Sequence, residues 1–250
     1  MTSATANAAI TPSTAPAAVS PAAVPTPEGA SETLGGGIDE EIASEEAEFE
    51  RVPFDAAHVP LLVPNPDDFG LRGWDVEHFI ILDWDADGLS DVVVQLVESQ
   101  SAEASDPASD RARGLVFAHG EVDGLRREAL GFFVPSTASG GAMWGGTDLL
   151  IDLTASTDGR EIVVGWMIGS RDRLVFELVF SWDAVKKRLR LARRTVSWGD
   201  ALDGSHGSDE QDFVIGRRTV STSPADGAPT VKKSRFSPKW IAVEDARPEE

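Results

Sequence analysis

The sequence has no cysteine and only four histidines among its 250 residues. The absence of cysteine excludes disulfide frameworks, zinc ribbons, iron–sulfur sites and thiol nucleophiles, and so few histidines argue against an imidazole-rich metal site. No apolar run approaches the roughly 18 residues that span a bilayer, so we expect no transmembrane segment. The formal net charge is −20, from 22 basic and 42 acidic residues. This charge argues against nucleic acid as the main partner, because phosphate binding needs a positive surface.

The first fifth of the chain differs in composition from the rest. Residues 1–50 contain no Lys or Arg but nine Asp and Glu, and five prolines stand between positions 12 and 27. Proline removes backbone donors, and the few large apolar groups cannot offset the entropy of ordering. We therefore predict that residues 1–50 form a disordered tether, Ala/Pro-rich and then acidic, and that 51–250 form a single antiparallel β domain.

From about residue 60 onward the hydrophobic pattern has a period of two, which is typical of strands. One face of a predicted strand, for example, carries Leu174, Phe176, Leu178, Phe180 and Trp182. The predicted strands cover 78–82, 91–97, 114–119, 125–130, 148–153, 161–168, 174–182, 189–191, 213–220 and 230–236, and Asp-Gly pairs at 87–88, 123–124, 158–159 and 226–227 indicate hairpins. The fold class is therefore all-β, an antiparallel meander of about ten strands. A sandwich and a curled open barrel fit this pattern equally, and a partial propeller fits it less well because propellers need several blades.

One loop carries a metal-ligand pattern between two apolar strands. Its carboxylates occupy loop positions 1, 3, 5 and 9, and a glycine at position 6 permits a sharp turn; they are Asp83, Asp85, Asp87 and Asp91. Calcium binds about six to eight oxygens, and alternate side chains on a curling backbone converge on one point. We predict a structural Ca²⁺ ion bound by these four carboxylates and by the backbone carbonyl of Leu89.

The loop is not an EF-hand, because position 12 is Val94 instead of a bidentate Glu and both flanking segments are strands. The alternative without a metal is an acidic hairpin tip held by hydrogen bonds from its own backbone. Trp84 alternates with the proposed ligands, so we expect it to be a packing residue.

The Asp-x-Asp-x-Asp-Gly-x-x-Asp series between apolar strands resembles the calcium hairpin of FG-GAP/VCBS-type repeats. Over roughly residues 60–245 the order of features is similar to that of a largely uncharacterised family of small bacterial envelope or secreted β proteins with a single such hairpin. The shared features are the hairpin, the 113–117 segment with its following Asp-Gly turn, the Gly-rich loop ending at 145–146, the 169–171 turn, the 212–217 segment and a Lys-rich last strand. The resemblance implies a calcium-stabilised β fold and an exported setting, but no reaction.

The compartment is predicted as periplasmic or extracellular, with the cytoplasm as the alternative. No secretory signal is visible in the first ten residues, which lack a positive region and an apolar region. An Ala/Pro/Thr-rich leader before a Cys-free β domain nevertheless often remains after an export signal has been removed.

Two regions are candidates for binding a partner. Trp144 lies in a glycine-rich connection, 133–147, where an aromatic side chain could contact a ligand or plug the sheet. Twelve Lys and Arg fall between positions 186 and 239, and among them Arg188, Arg190, Arg217 and Lys232 represent the strands that would form a basic face. That face could bind an acidic partner, could dock the chain's own Glu-rich segment 39–50, or could be a solvated surface that discourages strand pairing.

A second, weaker candidate cation site is the Asp/His series in a Gly/Ser-rich loop formed by Asp200, Asp203, His206, Asp209 and Asp212. The other histidines, His58, His78 and His119, have no partner at a catalytic spacing.

No motif predicts catalytic or cofactor-binding residues. A nucleophile elbow, a phosphate loop and a dinucleotide fingerprint are all missing. We predict a non-enzymatic calcium-binding β-domain protein of the bacterial envelope or secreted fraction that binds a protein or an envelope component. The alternatives are a hydrolase on a β scaffold with structural calcium and an inhibitor or immunity-type partner of another protein.

Overall fold

Two antiparallel β-sheets make up the described part of the chain. A computed structural model describes residues 54–99, 111–136, 152–169 and 172–248. The strands are β1 (Leu62–Val63), β2 (Trp74–Leu82), β3 (Asp91–Glu98), β4 (Arg113–Glu121), β5 (Gly124–Gly131), β6 (Asp152–Ala155), β7 (Glu161–Ile168), β8 (Asp172–Asp183), β9 (Arg188–Asp200), β10 (His206–Asp212), β11 (Arg217–Ser223) and β12 (Thr230–Arg235), with short 3₁₀ turns at Pro66–Phe69 and Val243–Asp245. The all-β prediction is confirmed. Within these ranges no helix has the length and apolar character needed to cross a membrane.

The strand order is β1-β5-β4-β3-β2 in one sheet and β12-β11-β10-β9-β8-β7-β6 in the other. Within each sheet, consecutive strands therefore pair, except that β1 pairs with β5 instead of β2. The chain passes from one sheet to the other between β5 and β6. This is the predicted antiparallel meander, which short turns favour because they connect adjacent strands. One of the two sheets is curled into a half-barrel.

The main hydrophobic core contains buried residues from both sheets. Phe117 of β4 and Phe180 of β8 are fully buried, and their rings meet edge to face with centroids 5.4 Å apart. The predicted apolar face of β8 belongs to this core. Phe176, Leu178 and Phe180 are buried in it, and Leu174 and Trp182, at the two ends of the face, are partly exposed and pack against it. The alternation of apolar residues with a period of two therefore predicted the buried face of β8 correctly.

A second core covers the other face of the five-stranded sheet. Val92, Val94 and Leu96 of β3 pack there with Phe69 and Trp74. Because Val93 lies in the main core, β3 is buried on both faces. This double burial explains why the apolar run after Asp91 is nearly continuous, and it gives the loop before β3 a rigid foundation.

One predicted strand is wrong. The segment 213–220 is interrupted by a turn at 213–216, where Gly216 has a φ of 66°, and β11 begins only at Arg217. The strand before that turn, His206–Asp212, was predicted as a loop because it is rich in Gly, Ser and Asp. It forms because it pairs with β9 on one side and β11 on the other. The Asp-Gly pair at 203–204, with Gly204 at a φ of 75°, is the hairpin signal that could have revealed it.

The predicted tether, 1–50, and residues 148–151 of a predicted strand lie outside the described residues.

Candidate metal centre

The acidic loop connects two paired strand ends. Leu82, the last residue of β2, is the partner of Asp91, the first residue of β3, and residues 83–90 connect them. Ala86 and Gly88 have left-handed φ values of 62° and 87°. Glycine adopts this conformation freely, whereas alanine pays of order 1 kcal/mol for it. The loop therefore curls tightly enough to turn alternate side chains toward the same side.

Backbone N–H groups hold one oxygen of each of the first three carboxylates. The amide of Gly88 donates to Asp83 Oδ2 at 3.1 Å and the amide of Asp87 donates to Asp85 Oδ1 at 3.1 Å. The amide of Leu89 donates to Asp87 Oδ1 at 2.8 Å. Each carboxylate thus keeps a second oxygen that these bonds do not use, and the hydrogen bonds fix where that oxygen lies.

Asp91 differs from the other three because it is completely buried. Its Oδ2 accepts a hydrogen bond from the amide of Trp84 at 2.9 Å, and its Oδ1 accepts one from the amide of Gly120 at 2.8 Å. Burial has the largest effect on the pKa of Asp91 and raises it, and the two amides and His119 offset only part of that rise. Asp91 therefore ties the loop to β4 while being an incompletely compensated buried carboxyl.

The structure brings the four predicted carboxylates together as two overlapping groups. Oxygens of Asp83, Asp85 and Asp91 lie within 4.8 Å of one another, as do ligand atoms of Asp85, Asp87 and His119. Asp83 Oδ1 is buried and accepts no hydrogen bond. A buried oxygen without a donor is costly unless something positive approaches it.

His119 is the residue of this site that sequence reasoning did not connect to it. Its Nδ1 lies 2.9 Å from Asp91 Oδ1, and its Nε2 lies 3.9 Å from carboxylate oxygens of both Asp85 and Asp87. The signal is the register of β3 against β4, because Val92 pairs with Ala118 and the next residue pair outward is Asp91 and His119. That register is a long-range property, so the spacing along the chain did not reveal it.

Two tryptophans fix the imidazole of His119 in place. Its ring stacks on Trp84 with centroids 6.5 Å apart, and on Trp182 of the other sheet with centroids 5.9 Å apart and an interplanar angle of 8°. Trp84 is itself buried in the main core, which confirms its predicted packing role. The loop is therefore connected to both sheets through its aromatic side as well as through Asp91.

The chemistry of this donor set fits a hard divalent cation. Carboxylate oxygens are the ligands that Ca²⁺ and Mg²⁺ prefer, and the orphaned Asp83 Oδ1 needs a positive partner. Each oxygen of Asp91 already accepts one amide hydrogen bond, which leaves it a further lone pair for a metal. The backbone N–H of Leu89 is used by Asp87, and the role of the Leu89 carbonyl as a ligand stays a prediction.

The second candidate cation site is not formed. Asp209 lies on β10 and binds Arg218 through both oxygens, while Asp200, Asp203 and Asp212 accept hydrogen bonds from nearby turn amides. Among the residues that the structure describes, no potential metal cluster includes them. A strand with paired neighbours spreads these side chains over two faces, so their spacing of three cannot converge on an ion.

The predicted basic face is interrupted. Strand β10, with its acidic side chains, lies between β9 and β11. On β9, Arg188 lies 3.3 Å from Glu244 and 3.7 Å from Glu128, and Arg190 lies 3.7 Å from Asp183. On β11, Arg217 lies 3.9 Å from Glu210. Lys232 is on β12, the last strand of the sheet. Arg188 and Arg190 are thus locally neutralised and separated from the other two. Trp144 and the segment 39–50 lie outside the described residues.

Comparisons with known proteins add no relative. A scan against protein-family models finds no match. Searches of curated proteins and of solved structures find none either. The likeness to FG-GAP/VCBS-type calcium hairpins stays a prediction that depends on the loop residues and on the order of the surrounding features.

Proposed function

We propose that the protein is a calcium-binding β-domain protein in which one Ca²⁺ ion, held by the 83–91 loop, stabilises the first hairpin. One observation carries the proposal: the carboxylates of Asp83, Asp85 and Asp91 converge within 4.8 Å, although Asp91 is fully buried and Asp83 has a buried oxygen without a donor. Four carboxylates in nine residues repel one another, and a divalent ion removes that repulsion.

Backbone hydrogen bonds alone explain the shape of the loop but not its charge. They use one oxygen from each of the first three carboxylates, and amide dipoles compensate less than a full charge. The only basic side chain that reaches these carboxylates from the described residues is the imidazole of His119. A cation of charge +2 therefore supplies what the loop lacks.

Calcium titration of the full chain tests the proposal directly. The protein is first treated with a chelator, and binding is followed by calorimetry and by thermal melts in Ca²⁺, in Mg²⁺ and in chelator. We expect one saturable site with a Kd of about 10⁻⁴–10⁻³ M, as for extracellular modules. At a Ca²⁺ concentration 100 times the Kd, the ion should stabilise the fold by about 2.7 kcal/mol.

The decisive variant is Asp85→Asn, which keeps a side-chain oxygen for the amide of Asp87 but removes the charge. Its matched control is Asp158→Asn, because Asp158 caps another hairpin tip by accepting from Ser156 and Arg160 and belongs to no acidic cluster in the described residues. Asp85→Asn should weaken calcium binding at least tenfold and Asp158→Asn should leave it unchanged. An absence of binding heat at millimolar calcium, with equal melting temperatures in calcium and chelator, contradicts the proposal.

The exported location and the non-enzymatic role belong to the same proposal. At millimolar calcium a site with a Kd of about 10⁻⁴ M would be mostly loaded outside the cell, and it would be empty in the cytosol. No motif in the chain predicts a catalytic centre. The domain would then bind a protein or an envelope component. Fractionation of cells that express the complete gene tests the location, and recovery of the product only from cytosol contradicts it.

A further inference from the structure

The last strand of the seven-stranded sheet has an open edge. β12 ends the strand order and pairs only with β11 within the described part of the chain. All six of its side chains are exposed, including the apolar Val231. A row of unpaired backbone N–H and C=O groups at a sheet edge is a template for another strand.

The backbone hydrogen bonds identify which residues face that edge. The amide of Phe236 donates to the carbonyl of Gly216, on the side of β11. In an antiparallel pair this orientation alternates from one residue to the next, so residues 230, 232 and 234 bond to β11. The N–H and C=O groups of Val231, Lys233 and Arg235 consequently point away from β11, toward the open edge of the sheet.

The open edge carries positive charge that its own sheet does not neutralise. β12 contains Lys232, Lys233 and Arg235 and no acidic residue. The neighbouring strand β11 differs, because its arginines are paired with acidic residues of β10. Arg218 lies 2.5 Å from Asp209, and Arg217 lies 3.9 Å from Glu210. None of the three β12 cations has an ion pair among the described residues. On a chain with a net charge of −20, this strip is a local reversal of sign.

We propose that the β12 edge binds an extended acidic peptide segment of a partner protein as an added strand. The three outward-facing residues supply up to six main-chain hydrogen bonds, and the side chains of Lys233 and Arg235, which share one face of the strand, pair with acidic side chains at alternate positions of the added strand. Addition of a second copy through the same edge is opposed, because two β12 strands would place Lys and Arg beside one another. The charge thus selects an acidic strand and rejects self-pairing.

The test uses a fluorescein-labelled octapeptide of alternating Glu and Thr and measures fluorescence anisotropy on the full chain at low salt. Val231→Pro removes one outward N–H but leaves the charge and the bonds to β11 intact. Its control is Val231→Ala. Lys233→Gln with Arg235→Gln removes charge from the edge, and Lys187→Gln, an exposed lysine in the β8–β9 turn, is the matched control.

Val231→Pro should weaken peptide binding at least tenfold, whereas Val231→Ala and Lys187→Gln should change it less than twofold. The double Gln variant should weaken binding and reduce its dependence on salt. Amide signals of Val231, Lys233 and Arg235 in the NMR spectrum of the unaltered protein should shift on peptide addition, which tests the strand even if the proline variant is unstable.

Two results overturn the proposal. Binding that is lost with the charges but insensitive to Val231→Pro, without shifts in the β12 amides, shows nonspecific attraction of a polyanion. No binding of the peptide at millimolar concentration shows that the edge is only a solvated, protective strand.

Discussion

Replacing Gly120 by Ala should loosen the acidic loop without removing any of its carboxylates. A Cβ at this position would lie 2.5 Å from the carbonyl oxygen of Ser90, 2.9 Å from its carbonyl carbon and 3.2 Å from Leu89 Cβ. Ordinary contacts begin at 3.4 Å, so the backbone next to Asp91 must retreat by about 0.9 Å. The same movement weakens the bond from the Gly120 amide to Asp91 Oδ1.

The size of the effect follows from the atoms involved. Ser90 contributes backbone atoms, which cannot rotate away as a flexible side chain can, and forced packing of this kind costs about 1–3 kcal/mol. The lower chain entropy of alanine in the unfolded state returns about 0.4–1 kcal/mol. We therefore expect a net loss of roughly 1–2 kcal/mol, equivalent to a decrease in Tm of about 2–8 °C for a chain of this size.

Urea unfolding in chelator and calorimetry in calcium separate the two consequences of Gly120→Ala. Stability should fall in chelator, and calcium affinity should fall about tenfold because the proposed Leu89 carbonyl ligand and Asp91 both flank Ser90. Gly165→Ala is the control, since its Cβ would meet nothing closer than 3.6 Å on another strand. If Gly120→Ala matches the control in both measurements, the close contact between β4 and the loop does not position the site.

Three further changes test other parts of the fold. Glu77→Gln should lower the free energy of unfolding by about 1.5–3 kcal/mol at neutral pH, and equal stability of variant and wild type in urea titrations at pH 7 contradicts this. Burial raises the pKa of Glu77, but hydrogen bonds from Arg113 and Gln95 outweigh burial and lower the pKa overall. The stabilisation by Glu77 is therefore present above its unfolded pKa and is lost as the pH falls through the lower folded pKa. Phe180→Ala removes a fully buried ring and should lower the free energy of unfolding by about 3–5 kcal/mol, and a loss below 1 kcal/mol would mean that the two sheets are not packed through it. Gly207→Ala places a Cβ against the Trp198 ring and 2.6 Å from the Ser221 carbonyl oxygen. It should lower the free energy of unfolding by about 1–3 kcal/mol and shift tryptophan fluorescence to the red. An unchanged spectrum contradicts the packing of the Trp198 ring against Gly207.

The sequence predicted those features that depend on neighbours along the chain. The buried face of β8 follows from the alternation of Phe176, Leu178 and Phe180, because a strand places every second side chain on one side. The convergence of Asp83 and Asp85 follows for a similar reason, since a tight loop brings alternate residues together. Both features are local, so composition and spacing were sufficient.

The features that were missed depend on pairing between distant segments. His119 lies beside Asp91 only because β3 and β4 pair in one particular register. Strand β10 has little apolar pattern and exists because both of its neighbours supply backbone partners. Glu77 and Arg113 pair through a bulge in β2, 36 residues apart. Spacing along the chain contains no information about the two side-chain contacts, and for β10 the local signal is confined to the Asp-Gly turn at 203–204 that precedes it.

The position of the acidic loop determines what an ion there would do to the whole domain. Trp84 belongs to the main core, and its ring stacks on His119, which in turn stacks on Trp182 of the opposite sheet. Asp91 begins a strand that is buried on both faces. A cation that fixes Asp83, Asp85 and Asp91 would therefore also fix the aromatic contacts between the sheets. Because local unfolding of the loop would require Trp84 to leave the core, calcium should raise the free energy of global unfolding and slow exchange of the β3 amides, beyond rigidifying a surface turn.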